Sequence, residues 1–227
     1  RFQRMWGDFG GIKPQPALEY ECFRSQALGG GNSVGDQLPP RGKLDAAAYD
    51  LIGAVYAQCA ATESFYAGSR PLPQIGVLTA NSPGYDLNEA ARSDEGAIQM
   101  CEECNYESAL LDDSDSLNPY SLLVLPDATT ITPRLRSKLE KFHQRGGHLI
   151  VSHHAGRDAG GKWALDFLPI SFAGDDDSFP SYWRAAPSFW PEMGASELFF
   201  DFYFTKVIAG RGCRVLVRRV PPYFKRS

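Results

Sequence analysis

The sequence predicts an α/β protein in which residues 74 to about 168 form an open, doubly wound and mainly parallel sheet. Three apolar runs indicate the strands, at Ile75–Leu78, Ser121–Leu125 and His148–Val151. Near-continuous apolar side chains are typical of parallel strands that are buried on both faces. Predicted helices alternate with these strands, and such alternation is typical of a sheet with helices packed on its faces.

Capping residues mark the helices of this second part. The spacing predicts helices over Asp94–Asn105 and Pro133–Arg145, with Thr132 as the N-cap of the latter. An apolar stripe faces the core, and Gly146-Gly147 ends the helix. The stripe consists of Ile131, Leu135, Leu139 and Phe142. A further strand is predicted within 106–111, and the alternating pattern at 213–220 predicts a last one.

The first 66 residues have a different organisation, and a Gly- and Pro-rich linker at 67–73 separates them from a second domain at 74–227. Short strands are predicted at Phe2–Trp6 and Ser33–Val34, each followed by a helix. The helices are expected over Pro16–Leu28 and, capped by Asp45, as far as about Glu63. Residues expected to face a core in the second helix are Tyr49, Ile52, Val55 and Tyr56. A closed barrel of eight β–α units needs about 250 residues, so we interpret residues 1–66 as the last two units of a TIM barrel.

Bulk composition argues against several classes of partner. The chain has 227 residues, 43% of them hydrophobic and 22% charged, which is typical of a folded globular protein. A formal charge of -4 indicates no basic field for nucleic acid or an anionic membrane. No apolar run approaches the length of a membrane span, and five widely spaced cysteines favour reduced thiols. We therefore expect a cytoplasmic location, and a chain that starts at Arg1 without a leader pattern is expected to be a piece of a longer protein.

The turn after the third apolar run is the position where flavodoxin-like α/β enzymes carry a nucleophilic Cys or Ser. The tip of this run, Gly147–Gly156, offers His153 and His154 and no Cys. A Cys- or Ser-based triad also needs a histidine base, and no histidine follows the turn in the sequence. We interpret the second part as an enzyme-like scaffold that lacks the enzyme's own chemistry.

Four segments carry a family resemblance. They are Arg4–Gly11, Gly35–Gly42, Leu125-Pro126-Asp127 and Pro222-Tyr223-Phe224. Together they resemble bacterial glycoside hydrolases of a family 42-like type, in which a TIM barrel is followed by a β-galactosidase trimerisation domain with a class I glutamine-amidotransferase-like fold. The resemblance implies that this chain is the C-terminal fragment of a β-galactosidase-like enzyme, with a non-catalytic domain that supports oligomerisation. We expect a carbohydrate substrate, a homotrimer, no cofactor and no metal.

Asp8 and Asp36 are candidate sugar-binding residues. Each follows a predicted strand, and the strand ends of a β/α barrel form its active-site face. Carboxylates there can serve as acid, base or acceptor for sugar hydroxyls, although Asp beside Gly is also a common loop cap. Arg41 is a candidate anchor for substrate or a neighbouring subunit, with an ordinary surface arginine as the alternative. The resemblance implies an acid/base carboxylate on an earlier strand, so no catalytic residue is assigned here.

Other motifs have a structural interpretation that we prefer. We expect Asp175-Asp176-Asp177 to be a solvated loop instead of a calcium site. His153 and His154 are expected to point in divergent directions, which disfavours a shared metal. Cys101 and Cys104 are expected to lie in a helix without a second pair of zinc ligands. The aromatic residues of 179–204 fit a core, a sugar-stacking surface or subunit assembly, and the resemblance favours assembly.

Two other functions stay open at this point. The scaffold would also fit a stand-alone amidotransferase-like or DJ-1-like enzyme of glutamine or thiol chemistry, although the missing Cys argues against it. The aromatic residues would also fit a carbohydrate-binding module.

Overall fold

The computed structural model describes residues 11–36, 39–79, 87–176, 178–200 and 204–224, without the side chains of 87–91. The chain divides into two compact units, residues 1–72 and 73–227, which we refer to as unit 1 and unit 2. The predicted strand at Phe2–Trp6 lies outside the described residues.

Unit 1 contains two helices, α1 (Gln15–Ala27) and α2 (Ala46–Tyr66). Pro14 precedes α1, and the side chain of Asp45 caps α2 by accepting a hydrogen bond from the Ala47 backbone N–H at 3.0 Å. The helices pack through a small apolar cluster of Leu18, Cys22, Val55 and Cys59. Both helices and the Asp45 cap are as predicted, within a few residues at each end.

Two expectations for unit 1 are wrong. Tyr49 is 41% exposed, because Ala48 takes the buried position in the first turn of α2. Ser33–Val34 is not a strand, since no described strand lies beside it to complete backbone pairing.

Unit 2 begins with a four-stranded sheet in which every described pairing is parallel. Its strands are β1 (Ile75–Leu78), β2 (Ser108–Leu111), β3 (Leu122–Leu125) and β4 (His148–Val151), and their spatial order is β2-β1-β3-β4. Helix α3 (Leu87–Glu103) connects β1 to β2, and α4 (Pro133–Gln144) connects β3 to β4. The predicted parallel sheet is confirmed.

The sheet is held by close apolar packing at its centre. Gly76 in β1 has no room for a side chain, because an added Cβ would lie 2.5 Å from Leu111 Cδ1. Along α4, the side chains of Leu135, Leu139 and Phe142 are buried, and Thr132 caps the helix by accepting from the Leu135 N–H at 3.1 Å. The predicted cap and stripe of α4 are confirmed.

β4 corrects the expectation that all three apolar runs are buried on both faces. It lies at the edge of the sheet, and its residues alternate between exposed and half-buried positions. Ile150 is 48% exposed, whereas every residue of β1 is buried. An edge strand has a neighbour on one side only, so an apolar sequence alone did not distinguish it from a central strand.

The remainder of unit 2 is antiparallel. β5 (Ile170–Asp176) pairs with β8 (Phe204–Ala209), with a bulge between Phe172 and Asp175. β6 (Ser181–Ala185) lies between β7 (Leu198–Phe200) and β9 (Val217–Val220) in a three-stranded sheet. The last strand is therefore shorter than the predicted 213–220.

Candidate functional site

The structure describes two of the three predicted sugar-site residues. Asp36 is half-buried in a segment without regular secondary structure, and Arg41 is exposed. Asp8 lies outside the described residues. A common cleft for Asp8 and Asp36 therefore stays a prediction.

A cleft of about 430 Å³ lies elsewhere in unit 1, at the C-terminal ends of α1 and α2. Glycines 29–31, Tyr56 and Tyr66 line it, and Glu63 is the only charged lining residue in the described part of the chain. Glycoside hydrolysis uses a pair of carboxyl groups, so this cleft does not have the composition of a catalytic site. Neither Asp36 nor Arg41 lines it.

In unit 2, the turn after β4 brings His153 and His154 together with Asp175 of the acidic run. Ser152 begins this turn, and its hydroxyl donates to Asp127 Oδ1 at 2.6 Å. Asp127 itself follows β3, so parallel strands place both residues at the same edge of the sheet. The other acceptor within reach of this hydroxyl is the Leu125 carbonyl, at 3.4 Å. Among the described residues no imidazole accepts from Ser152, so they do not form the Ser–His arrangement that activates a serine nucleophile.

His153 occupies the sharp point of this turn. Its φ of 43° lies in the left-handed region, which non-glycine residues rarely adopt. Burial, with the neighbouring His154 as a second cause, lowers the pKa of His153. The lowered pKa favours the neutral form of the imidazole at this turn.

The two histidines do not diverge as expected. Their rings stack with centroids 3.8 Å apart and an angle of 15° between the planes. His154 Nε2 lies 2.9 Å from Asp175 Oδ1, and Arg157 Nη2 donates to the same oxygen at 3.0 Å. The positive φ of His153 bends the chain enough to bring adjacent side chains to one side, which period-two strand reasoning does not anticipate.

The acidic run also differs from its prediction as a solvated loop. Asp175 and Asp176 belong to β5, and Asp176 is 5% exposed and forms an ion pair with Arg219 of β9. Burial alone would raise the pKa of Asp176, but hydrogen bonds from Ser178 and the charge of Arg219 lower it overall. Asp177 lies outside the described residues. Asp176 thus joins β5 to β9, and Asp175 joins β5 to the turn after β4. Their partners lie too far away in sequence for a local pattern to show.

The three-stranded antiparallel sheet of unit 2 presents aromatic side chains to solvent. The ring of Tyr182 in β6 lies edge-on to Phe199 at 5.9 Å and tilted to Tyr223 at 6.3 Å. Phe199 is 53% exposed and Tyr223 is 71% exposed. Glu197 pairs with Arg184 and accepts from the Tyr223 hydroxyl at 2.8 Å. We call Tyr182, Arg184, Glu197, Phe199 and Tyr223 the aromatic face.

The two cysteines of the Cys101–Cys104 motif lie in different environments. Cys101 is buried in α3 and Cys104 is exposed just beyond its end, both as free thiols. Among the described residues, no group of three or more His, Cys, Asp or Glu side chains could hold a metal ion. None of the helices in this described part combines the length and apolar character that a membrane span requires.

Several solved structures are similar to this chain. An α-L-fucosidase isoenzyme from Paenibacillus thiaminolyticus is 29% identical, with a TM-score of 0.83 over 98% of this chain and 34% of its own. The β-galactosidase of Rahnella sp. R3 is 12% identical, with a TM-score of 0.74 over 97% of this chain and 37% of its own. That of Bacillus circulans sp. alkalophilus is 12% identical, with a TM-score of 0.68 over 94% of this chain and 36% of its own.

The chain thus spans about a third of the length of these enzymes. No protein-family model matches the chain, and no curated protein sequence matches it. The likeness to the two β-galactosidases concerns the fold alone. The chain has strong structural similarity to the C-terminal part of glycoside hydrolases.

Proposed function

We propose that this chain is the C-terminal part of a glycoside hydrolase. In this proposal, unit 1 is the end of the catalytic TIM barrel, and unit 2 is a doubly wound, amidotransferase-like domain that assembles subunits. The single observation that carries the proposal is the similarity to the α-L-fucosidase, with a TM-score of 0.83 over 98% of the chain.

The same comparison supports a choice of sugar class to test first. Sequence identity is 29% to the α-L-fucosidase but 12% to the two β-galactosidases. An α-L-fucoside is therefore the first substrate of the whole protein to test, and a β-galactoside, which the family 42-like resemblance favours, is the second.

A non-catalytic role for unit 2 is supported by its strand order and by the turn after β4. The order β2-β1-β3-β4 matches the first four strands of the flavodoxin-like order. At the turn, His153 takes the nucleophile's position, and Ser152 donates to Asp127. This arrangement supplies no activated nucleophile for glutamine or thiol chemistry, so the alternative of a stand-alone amidotransferase-like or DJ-1-like enzyme is not favoured.

Assembly through unit 2 is supported by the aromatic face. Tyr, Phe and Arg side chains are enriched at protein interfaces, and a sheet face with a 71% exposed Tyr223 has the composition of one. We expect the whole protein to be a trimer by light scattering at micromolar concentration. Phe199→Ala combined with Tyr223→Ala should shift it toward the monomer, whereas Phe65→Ala, a matched change at an 80% exposed residue of unit 1, should not. A monomeric wild-type protein would contradict the assembly role.

The activity test uses the whole protein that contains this chain. We expect it to hydrolyse a chromogenic α-L-fucoside or β-D-galactoside, and we expect residues 1–227 alone to hydrolyse neither. A whole protein without either activity, or a pure fragment that releases ammonia from glutamine, would overturn the proposal.

Asp36→Asn tests the proposed sugar contact. Loss of a charged hydrogen bond to a sugar hydroxyl costs about 1.5–3 kcal/mol, so kcat/KM of the whole protein should fall about ten- to a hundredfold. Asp50→Asn, at an exposed position of α2, is the matched control and should retain wild-type kinetics. Unchanged kinetics for both variants would reduce Asp36 to a loop residue.

A further inference from the structure

Two cysteines meet in the contact between α1 and α2 of unit 1. Cys22 of α1 is 3% exposed and Cys59 of α2 is 7% exposed, and both are free thiols. They belong to the same apolar cluster, whose other buried members are Leu18 and Val55. The two cysteines lie on separate helices, so their spacing in the sequence does not show the pair.

The register of the two helices places Cys22 opposite Cys59. Gln58 Nε2 donates to Glu19 Oε1 at 2.8 Å, and Gln26 Nε2 donates to the Cys59 carbonyl at 3.1 Å. Cys22 lies between Glu19 and Gln26 in α1, about one helical turn from each. The turn of α1 that faces Cys59 is therefore the turn that carries Cys22.

The side-chain amide of Asn32 contacts both cysteines. Its Nδ2 donates to the Cys22 carbonyl at 3.2 Å and reaches Cys59 Sγ at 3.9 Å. Burial raises the pKa of the Cys22 thiol, and the next causes are the charge of Cys59 and a hydrogen bond between the two side chains. The two sulfur atoms are thus close enough to act on one another.

Ordinary helix packing brings facing residues within the range that a disulfide spans. Packed helices have axes about 8–10 Å apart, and Cα atoms lie about 2.3 Å from each axis, so facing Cα atoms approach to about 3.4–5.4 Å. A disulfide joins Cα atoms that are about 4.4–6.8 Å apart. The register and the packing together therefore allow a bond between Cys22 and Cys59.

We propose that Cys22 and Cys59 form a disulfide that joins α1 to α2 when the protein meets a small-molecule disulfide such as oxidised glutathione. Local opening of the helix contact exposes one thiolate, which attacks a sulfur of the oxidant, forms a mixed disulfide and releases one glutathione thiol. The other cysteine attacks the protein sulfur of that mixed disulfide, so the second glutathione thiol leaves as the Cys22–Cys59 bond forms.

The exchange is balanced, because the two cysteines lose two electrons and two protons and the oxidant takes up both. The site lies within unit 1 and involves none of the residues of the proposed sugar contact. It therefore does not depend on whether the whole protein is a glycoside hydrolase.

Peptide mapping of the whole protein tests the proposal. The protein is incubated with oxidised glutathione, alkylated, and digested with trypsin without reduction. Arg24 and Lys43 lie between the two cysteines, so the bond gives a cross-link between two separate tryptic peptides. We expect this cross-link in the oxidised wild-type protein and its loss on reduction. Cys213 of unit 2 is the internal control and should be cross-linked to neither cysteine.

The bond should also slow local opening of unit 1. Hydrogen exchange of the α1 and α2 amides should become at least about tenfold slower on oxidation, because a cross-link restricts the opened state. The amides of α4 in unit 2 are the internal reference. In Cys22→Ala the oxidant should leave this exchange unchanged, whereas Cys213→Ala, the matched control, should keep the slowing. If Cys22→Ala does not fold, the cross-link in the wild-type protein decides.

Three results would overturn the proposal. One is an oxidised wild-type protein in which both cysteines are still fully alkylated. Another is a glutathione adduct on either cysteine without a cross-link between them. The third is a cross-link that forms only in urea, since it would then report the unfolded chain and not the contact between α1 and α2.

Discussion

The parallel sheet and the strands that follow it in unit 2 are held together by different forces. In the sheet region the largest buried side chains are apolar, with Leu125, Leu139 and Phe142 at most 1% exposed. Beyond residue 170, Asp176 and Ser181 are buried as well, and charged groups join β5 to β9 and to the turn after β4. Apolar burial tolerates many partners, whereas each buried charge needs one particular partner.

The largest expected effect lies on the apolar side of this comparison. Phe142→Ala removes a ring that is 1% exposed and that packs against Gly147, where an added Cβ would lie 2.3 Å from the ring. We expect the free energy of unfolding to fall by about 3–5 kcal/mol, measured by urea denaturation of unit 2 signals. Phe224→Ala is the matched control at an 84% exposed position, with an expected change within about 0.5 kcal/mol. Equal small effects for both variants would show that α4 is not the core of this region.

Arg219→Ala tests how much the ion pair between β5 and β9 stabilises the fold. It leaves the carboxylate of Asp176, 5% exposed, without its ionic partner, and breaking a buried pair on one side costs about 3–5 kcal/mol. Because the Arg219 side chain is 24% exposed, we expect a loss near the lower end of that range, about 3 kcal/mol, in the same urea experiment. Arg218→Ala is the matched control, since the neighbouring Arg218 is exposed.

A second change distinguishes pairing from packing. Combining Arg219→Met with Asp176→Asn removes both charges and should recover part of the lost stability, because no unpaired charge then stays buried. A double variant as unstable as Arg219→Ala would mean that the guanidinium stabilises β9 through packing, and the contrast between the two regions would weaken.

The same contrast explains how far the sequence could predict the fold. The helix α4, its Thr132 cap and the strand β1 depend on neighbours along the chain, and all three are as predicted. The burial of β4 depends on which strands lie beside it, and that information is not in its apolar run. Thus local periodicity found the strands of the parallel sheet but could not show which of them lies at its edge, and it predicted none of β5 to β8.

The polar groups of unit 2 were harder to predict for the same reason. Asp175 contacts His154 and Arg157, and Asp176 contacts Arg219, so each carboxylate depends on a partner from another element. No spacing rule joins such residues. Among these features of unit 2, only the positive φ of His153 had a local indication in the sequence. A turn was expected after β4, and turns are where positive φ angles occur. Sequence reasoning identified that turn as important but not the Asp175 contacts that hold it.

A smaller effect is expected at the start of α4, where local and tertiary preferences agree. Thr132→Ala removes the oxygen that accepts from the Leu135 N–H at 3.1 Å. Loss of an N-cap costs typically about 1 kcal/mol, so the urea midpoint should fall with an unchanged slope. Thr132→Ser keeps a hydroxyl that can cap and should restore most of the loss. A full loss in the Ser variant as well would assign the effect to the Thr methyl group instead of the cap.

The smallest expected change concerns how the free energy of unfolding depends on pH through His153, in the turn after β4. Burial lowers the pKa of His153 from an ordinary value of 6.5, so below about pH 6.5 the unfolded chain takes up a proton that the folded chain resists. Stability is therefore fully present above that pH and declines as pH falls toward the lowered pKa. His153→Asn removes the titrating ring while keeping a residue type that tolerates a positive φ, and it should flatten this part of the curve of unfolding free energy against pH. A curve that His153→Asn does not alter would show that another group causes the decline.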